Sequence, residues 1–73
     1  MSTIVKMHDK ALDHELAIIS DTDLLADLRL KMYKNQDASV LYEIVAALNA
    51  VMHDAEIYKN WVMEQTELLM ENQ

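Results

Sequence analysis

Glycine, proline, cysteine and phenylalanine are all absent from the 73 residues. Each absence excludes something. Without glycine there is neither a phosphate-cradling loop nor a nucleophile elbow, since both need backbone conformations that glycine supplies. Without cysteine no disulfide can staple the chain, and the redox compartment is left open. The Asn-Gly and Asp-Gly turns of tight hairpins are missing too, as is any alternation of β-branched with polar residues, so strand signals are poor. Basic side chains are few: six Lys and Arg stand against thirteen acids, for a net charge of −7. Such a surface repels phosphate backbones, so direct nucleic-acid binding is not expected; it favours a basic partner. Long apolar runs are lacking as well. The longest is Ile44 to Leu48, far short of the ~20 residues of a membrane span. His8, Asp9 and Lys10 interrupt the N-terminal stretch before any signal core can form. The expectation is a soluble, cytoplasmic protein with no membrane partner, and the Met1-Ser2 start fits an unprocessed N-terminus.

What remains reads as helix throughout. Hydrophobic residues make up 52% of the chain, enough to exclude disorder. A chain this short buries only roughly 60% of its unfolded surface, which leaves a monomer marginal unless its helices pack very regularly or it oligomerises. The spacing predicts a first helix over about residues 3–19. Val5, His8, Leu12, Leu16 and Ile19 form its stripe, which Ile4, Ala11 and Ile18 widen. Ser20 to Asp23 predicts a break, with Ser20 and Asp23 placed as in a capping box. A second helix follows over about residues 22–34, with Leu24, Leu25, Leu28 and Met32 on its apolar face. Asp27 and Lys31 are spaced to pair along it. Asn35-Gln36-Asp37 predicts a turn in which Asn35 takes a left-handed C-terminal cap and Asp37 or Ser39 caps the next helix.

A third, long helix is expected over about residues 38–72, roughly 50 Å at 1.5 Å per residue. Leu41, Leu48, Ala55, Val62 and Leu69 recur every seven residues, with Ile44, Val51, Tyr58 and Gln65 as the companion row, a seam of coiled-coil type. From Val40 to Met52 this helix is apolar nearly all round, with Ala46, Ala47 and Ala50 small enough to let neighbours come close. Farther on, Glu56, Glu64, Glu67 and Glu71 form an acidic stripe. Charge is therefore uneven: residues 1–37 carry seven acids and five bases, residues 38–73 six acids and one base, Lys59. Two short helices folded on one long one would leave Tyr58 to Met70 overhanging, an apolar surface that needs a cover.

Chemistry-bearing motifs are incomplete. His14-Glu15 begins like a zinc-protease helix, but Ile18 stands where the second histidine belongs. His8, His14 and His53 do not converge as metal ligands must; His8 reads as a partly buried seam residue and His53 as a surface one. Asp21, Asp23 and Asp27 lack the glycine and the twelfth-position acid of a calcium loop, and capping explains them. No catalytic residue, cofactor or metal is assigned, and an enzyme is not expected.

The predicted architecture is all-α: two shorter helices packed on one long C-terminal helix, a helical bundle completed by homodimerisation. It resembles small helical-hairpin dimers in architecture only. The dimer seam is assigned to Leu41, Ile44, Leu48, Val51 and Ala55. The function expected is that of a non-enzymatic protein-binding module, an inhibitor or adaptor of a larger protein with a basic or apolar groove. Tyr58, Trp61, Val62, Met63 and Leu69 would make the contact, with Trp61 as its anchor. The alternative is an acidic decoy of the kind phages and mobile elements use, imitating nucleic acid through Glu56, Glu64, Glu67 and Glu71. A third is a structural assembly factor that only oligomerises.

Overall fold

A computed structural model describes the backbone of residues 3–35 and 37–71 and the side chains of residues 6–35 and 37–71. Ile4 and Val5 of the expected first stripe, and Asn72 at the expected end of the long helix, lie outside the described side chains. The fold is all-helical, with two helices in place of the three expected: α1, Thr3–Lys34, and α2, Ala38–Glu71. They fold back on each other as one antiparallel hairpin, a single layer measuring 55 × 20 × 11 Å.

The break expected at Ser20 to Asp23 does not occur. Serine, threonine and aspartate each cost a helix interior only ~0.5 kcal/mol relative to alanine, and no glycine or proline adds to that. Thr22 Oγ1 donates to the Ile19 carbonyl at 2.9 Å, so its hydroxyl is satisfied inside the helix. One apolar rhythm also runs straight through the segment. Met7, Ala11, His14, Ile18, Asp21, Leu25, Leu28 and Met32, at alternating four- and three-residue steps, are the α1 residues turned toward α2. Continuous packing on α2 outweighs the weak local stop signal.

The turn is where the sequence places it. Asp37 caps α2: its Oδ1 accepts from the Ser39 N–H at 3.2 Å, and its carbonyl accepts from Val40 and Leu41. Asn35 does not take the left-handed cap. Its φ stays negative, and its N–H donates to the Lys31 carbonyl at 2.8 Å, extending the α1 pattern. A left-handed conformation costs a residue with a Cβ roughly 1–2 kcal/mol, and the Asp37 cap makes it unnecessary.

The core sits at the turn end. Leu28, Val40 and Ala47 are the buried hydrophobic residues, at 8%, 3% and 4% exposure. The small Ala47 side chain lets the helices approach there. Lys31 reaches across the hairpin to Glu43 at 3.5 Å rather than along its own helix to Asp27; both groups are half-exposed, so the pair adds little. Farther from the turn the facing side chains are only half-buried. No described helix is long and apolar enough to cross a membrane.

Candidate protein-binding face

The seven-residue rhythm of α2 is real, but the hairpin uses it one position out of step with expectation. Ile44, Val51, Tyr58 and Gln65 do turn inward, half-buried. Their companions against α1 are Val40, Ala47, Asp54 and Trp61, not the Leu41 row. The seam assigned to a dimer therefore divides. Ile44 and Val51 pack within the chain, whereas Leu41, Leu48 and Ala55 stay exposed, Leu41 at 50% and Leu48 at 46%. On α1 the same displacement holds: Leu12, Leu16 and Ile19 are exposed, and His8 is an outer residue, its Nδ1 3.7 Å from Asp9. His14, not His8, is the histidine in the seam.

Cross-hairpin contacts show which outer rows share a side. Tyr58 OH donates to Glu15 Oε2 at 2.8 Å, and a shallow groove nearer the turn runs between Tyr33 and Leu41. Those contacts put the Leu41, Leu48, Ala55, Val62, Leu69 row of α2 on the side to which α1 presents Glu15 and Tyr33. Leu12, Ile19 and Ala26 fall at seven-residue steps before Tyr33 and so share its row. The opposite side carries the Lys31–Glu43 pair and a groove bordered by Leu24, Ala46 and Ala50. On that broad side the Leu41 row of α2, flanked by Val45 and Met52, lies next to the polar His8, Glu15, Thr22 and Arg29 row of α1, and Leu12 and Ile19 lie beyond it toward the outer edge. Glu56, Glu64, Glu67 and Glu71 are exposed on the other sides of α2, and no cation pairs with them among the described residues.

The end farthest from the turn is aromatic. His14 stacks on Tyr58 with ring centroids 5.3 Å apart and planes at 9°, and Trp61 leans on both rings. Because α1 is continuous, it reaches the far end of α2, and the expected overhang of Tyr58 to Met70 does not exist. Tyr58 and Trp61 pack across the hairpin, half-buried; Val62, Met63 and Leu69 are exposed, with Leu68 and Met70 beside them. The hydrogen bond to Glu15 raises the Tyr58 phenol above its ordinary value, with desolvation and the Glu15 charge acting the same way.

Two polar groups sit in the seam that sequence reasoning did not place there. Asp21 of α1 faces Asp54 of α2. The hydrogen bond Asp21 can make to Asp54 once one of the two is protonated raises the Asp21 carboxyl above its ordinary 3.8, and desolvation and the Asp54 charge push the same way. Asp21 Oδ2 and His14 Nε2 are shut from solvent without a hydrogen-bond partner. The signal was phase: Asp21 falls between Ile18 and Leu25 in the four-three pattern, and Asp54 between Val51 and Tyr58. No group of three or more His, Cys, Asp or Glu side chains converges among the described residues.

Comparison with family models, with curated proteins and with solved structures finds no match.

Proposed function

We propose that this protein is a non-enzymatic binding module, an inhibitor or adaptor that pairs with a second copy and docks on a larger protein through its apolar side. The single observation that carries the reading is that side: α2 presents Leu41, Leu48, Val62 and Leu69 to water in one row, with Leu12 and Ile19 of α1 beyond the polar Glu15 row. The molecule as a whole is unusually extended. The chain exposes 6011 Å², whereas a compact monomer of its 8.4 kDa exposes about 4,600 Å². The surplus of about 1,400 Å² is polar and apolar surface spread around a 55 × 20 × 11 Å rod, and a partner that takes ~800 Å² of it would be of ordinary size. Leu41, Leu48 and Ala55, with Val45 and Met52, would meet the second copy, whose identical surface suits a two-fold contact. Val62 and Leu69 would meet the larger partner, with Met63, in the row of Glu56 and Met70, at the outer edge of α2. Tyr58 and Trp61 support that patch from beneath.

Sedimentation equilibrium of the parent chain should give a dimer. Leu41→Glu with Leu48→Glu should give a helical monomer. Val62→Glu with Leu69→Glu should leave the dimer intact and abolish binding to the larger protein. A parent that stays monomeric at millimolar concentration removes the pairing, and partner binding indifferent to Val62→Glu/Leu69→Glu removes the docking patch.

One observation favours a second reading, the acidic decoy. The four glutamates Glu56, Glu64, Glu67 and Glu71 are exposed and unpaired among the described residues, along a rigid helix whose field would draw a basic cleft. A decoy should lose its partner above about 0.5 M salt, where exposed charges are screened, and on Glu64→Lys with Glu67→Lys. An apolar contact should survive both.

A further inference from the structure

We propose that Asp21 and Asp54 form a proton-operated latch: a proton shared between them closes the half of the hairpin beyond the turn-end core, and its loss pushes the two helices apart there. The reading rests on the seam inside one chain and not on how the outer side is used.

The pair occupies the middle of the hairpin. On the turn side lie the buried Leu28, Val40 and Ala47; on the far side lie His14, Tyr58 and Trp61. Neighbours one turn away on α1 are Ala17, Ile18, Leu24 and Leu25, and on α2 Ala50, Val51, Ile57 and Tyr58. Tyr58 is the single ionisable group among these, and its hydroxyl is committed to Glu15. The nearest histidines are His14, toward the far end of the seam, and His53, exposed on the outside of α2. The nearest bases along the two helices, Lys10, Arg29 and Lys59, are more than a turn away, and the cross-hairpin ion pair found, Lys31–Glu43, is nearer the turn. No described cation therefore faces the pair.

Two carboxylates meeting without a cation cannot both ionise cheaply. Asp21 Oδ2, closed off and unbonded, is where a shared proton restores a hydrogen bond. The sign follows from the raised Asp21 carboxyl. Folding favours the protonated form, so the contribution to stability is complete at pH below the unfolded-chain value. It is lost as pH rises through the higher folded-state value. Acidification tightens the far half of the hairpin, and pH above the folded-state value loosens it.

The test uses the full chain. Carboxyl ¹³C NMR should show Asp21 titrating above 3.8. Urea unfolding, followed by circular dichroism and by the lone Trp61, should shift to lower midpoints as pH rises from below 3.8 through the raised folded-state value. Asp54→Asn should flatten that fall and return Asp21 to its ordinary range. Asp13→Asn, which removes the same charge from an exposed position, should leave the fall in place, as should His14→Gln. An Asp21 that titrates at or below 3.8 overturns the latch whether or not the variants fold. So does a pH dependence that survives Asp54→Asn, or one that vanishes with His14→Gln.

Discussion

Leu28 shows how few side chains hold this hairpin closed. It is one of the buried hydrophobic residues, together with Val40 and Ala47, all near the turn. Leu28→Ala removes much of that packing and should cost about 2–3 kcal/mol, the lower part of the range for core leucines, because the site is narrow and can partly collapse. Thermal unfolding by circular dichroism checks this, and a loss below about 0.5 kcal/mol would mean the turn-end core matters little. Tyr58 offers a second measurement at this scale. Its bond to Glu15 holds the phenol neutral past its ordinary 10.0, so the stability it contributes is present below pH 10 and disappears as pH climbs through the raised value. Tyr58→Phe should lower the melting midpoint at pH 7. Glu15→Gln, which takes away the charge, should return the phenol's ultraviolet titration toward its usual position. If Tyr58→Phe melts with the parent at pH 7, the bond contributes nothing.

At the scale of the helix, the sequence gives helix type, the turn at residues 35–37 and the seven-residue rhythm of α2. Two things were not legible, for different reasons. The false break at Ser20 to Asp23 came from residues that favour caps without forbidding helix interiors. The one-position error in the seam came from two apolar rows competing on each helix. The leucine-rich row looks like the better core, yet the chain turns inward the row carrying His14, Asp21, Asp54 and Gln65. Only the pairing of two whole helices decides between them: small Ala11 and Ala47 permit close approach, and the leucines are left outside. Continuity of α1 is directly testable. Ser20→Ala with Thr22→Ala should raise stability by up to about 1 kcal/mol in total, since alanine is the better helix former. A true capped break at Ser20 would show the opposite, a loss of about 1 kcal/mol.

For the molecule as a whole, shape and charge divide the surface. One side carries the exposed Leu41, Leu48, Val62 and Leu69 row of α2, with Leu12 and Ile19 of α1 beyond a polar row; the other sides hold the acids of the far half of α2. The sequence showed the ingredients, Leu41 to Leu69 and Glu56 to Glu71, but assigned the long row to the interior of a dimer and left the aromatic end uncovered. The continuous α1 covers that end, so Tyr58 and Trp61 serve the hairpin while Val62, Met63 and Leu69 remain available. If the apolar side does bind a second copy, stability must depend on protein concentration. The melting midpoint should rise with each tenfold increase in concentration for the parent and stay constant for Leu41→Glu/Leu48→Glu. A parent midpoint indifferent to concentration counts against the pairing.

Two helices of 32 and 34 residues share one short connection, so Thr3 and Glu71 lie at the same tip of a molecule 55 Å long. Sequence separation between facing residues consequently grows steadily along the rod. Lys31 meets Glu43, whereas Glu15 meets Tyr58 across a gap of 43 positions. Loop closure is cheapest near the bend and dearest at the tip. Association should begin at Leu28, Val40 and Ala47 and run outward like a fastener. A fluorophore pair attached at Lys6 and Glu71 would report the last event of folding and the first of unravelling.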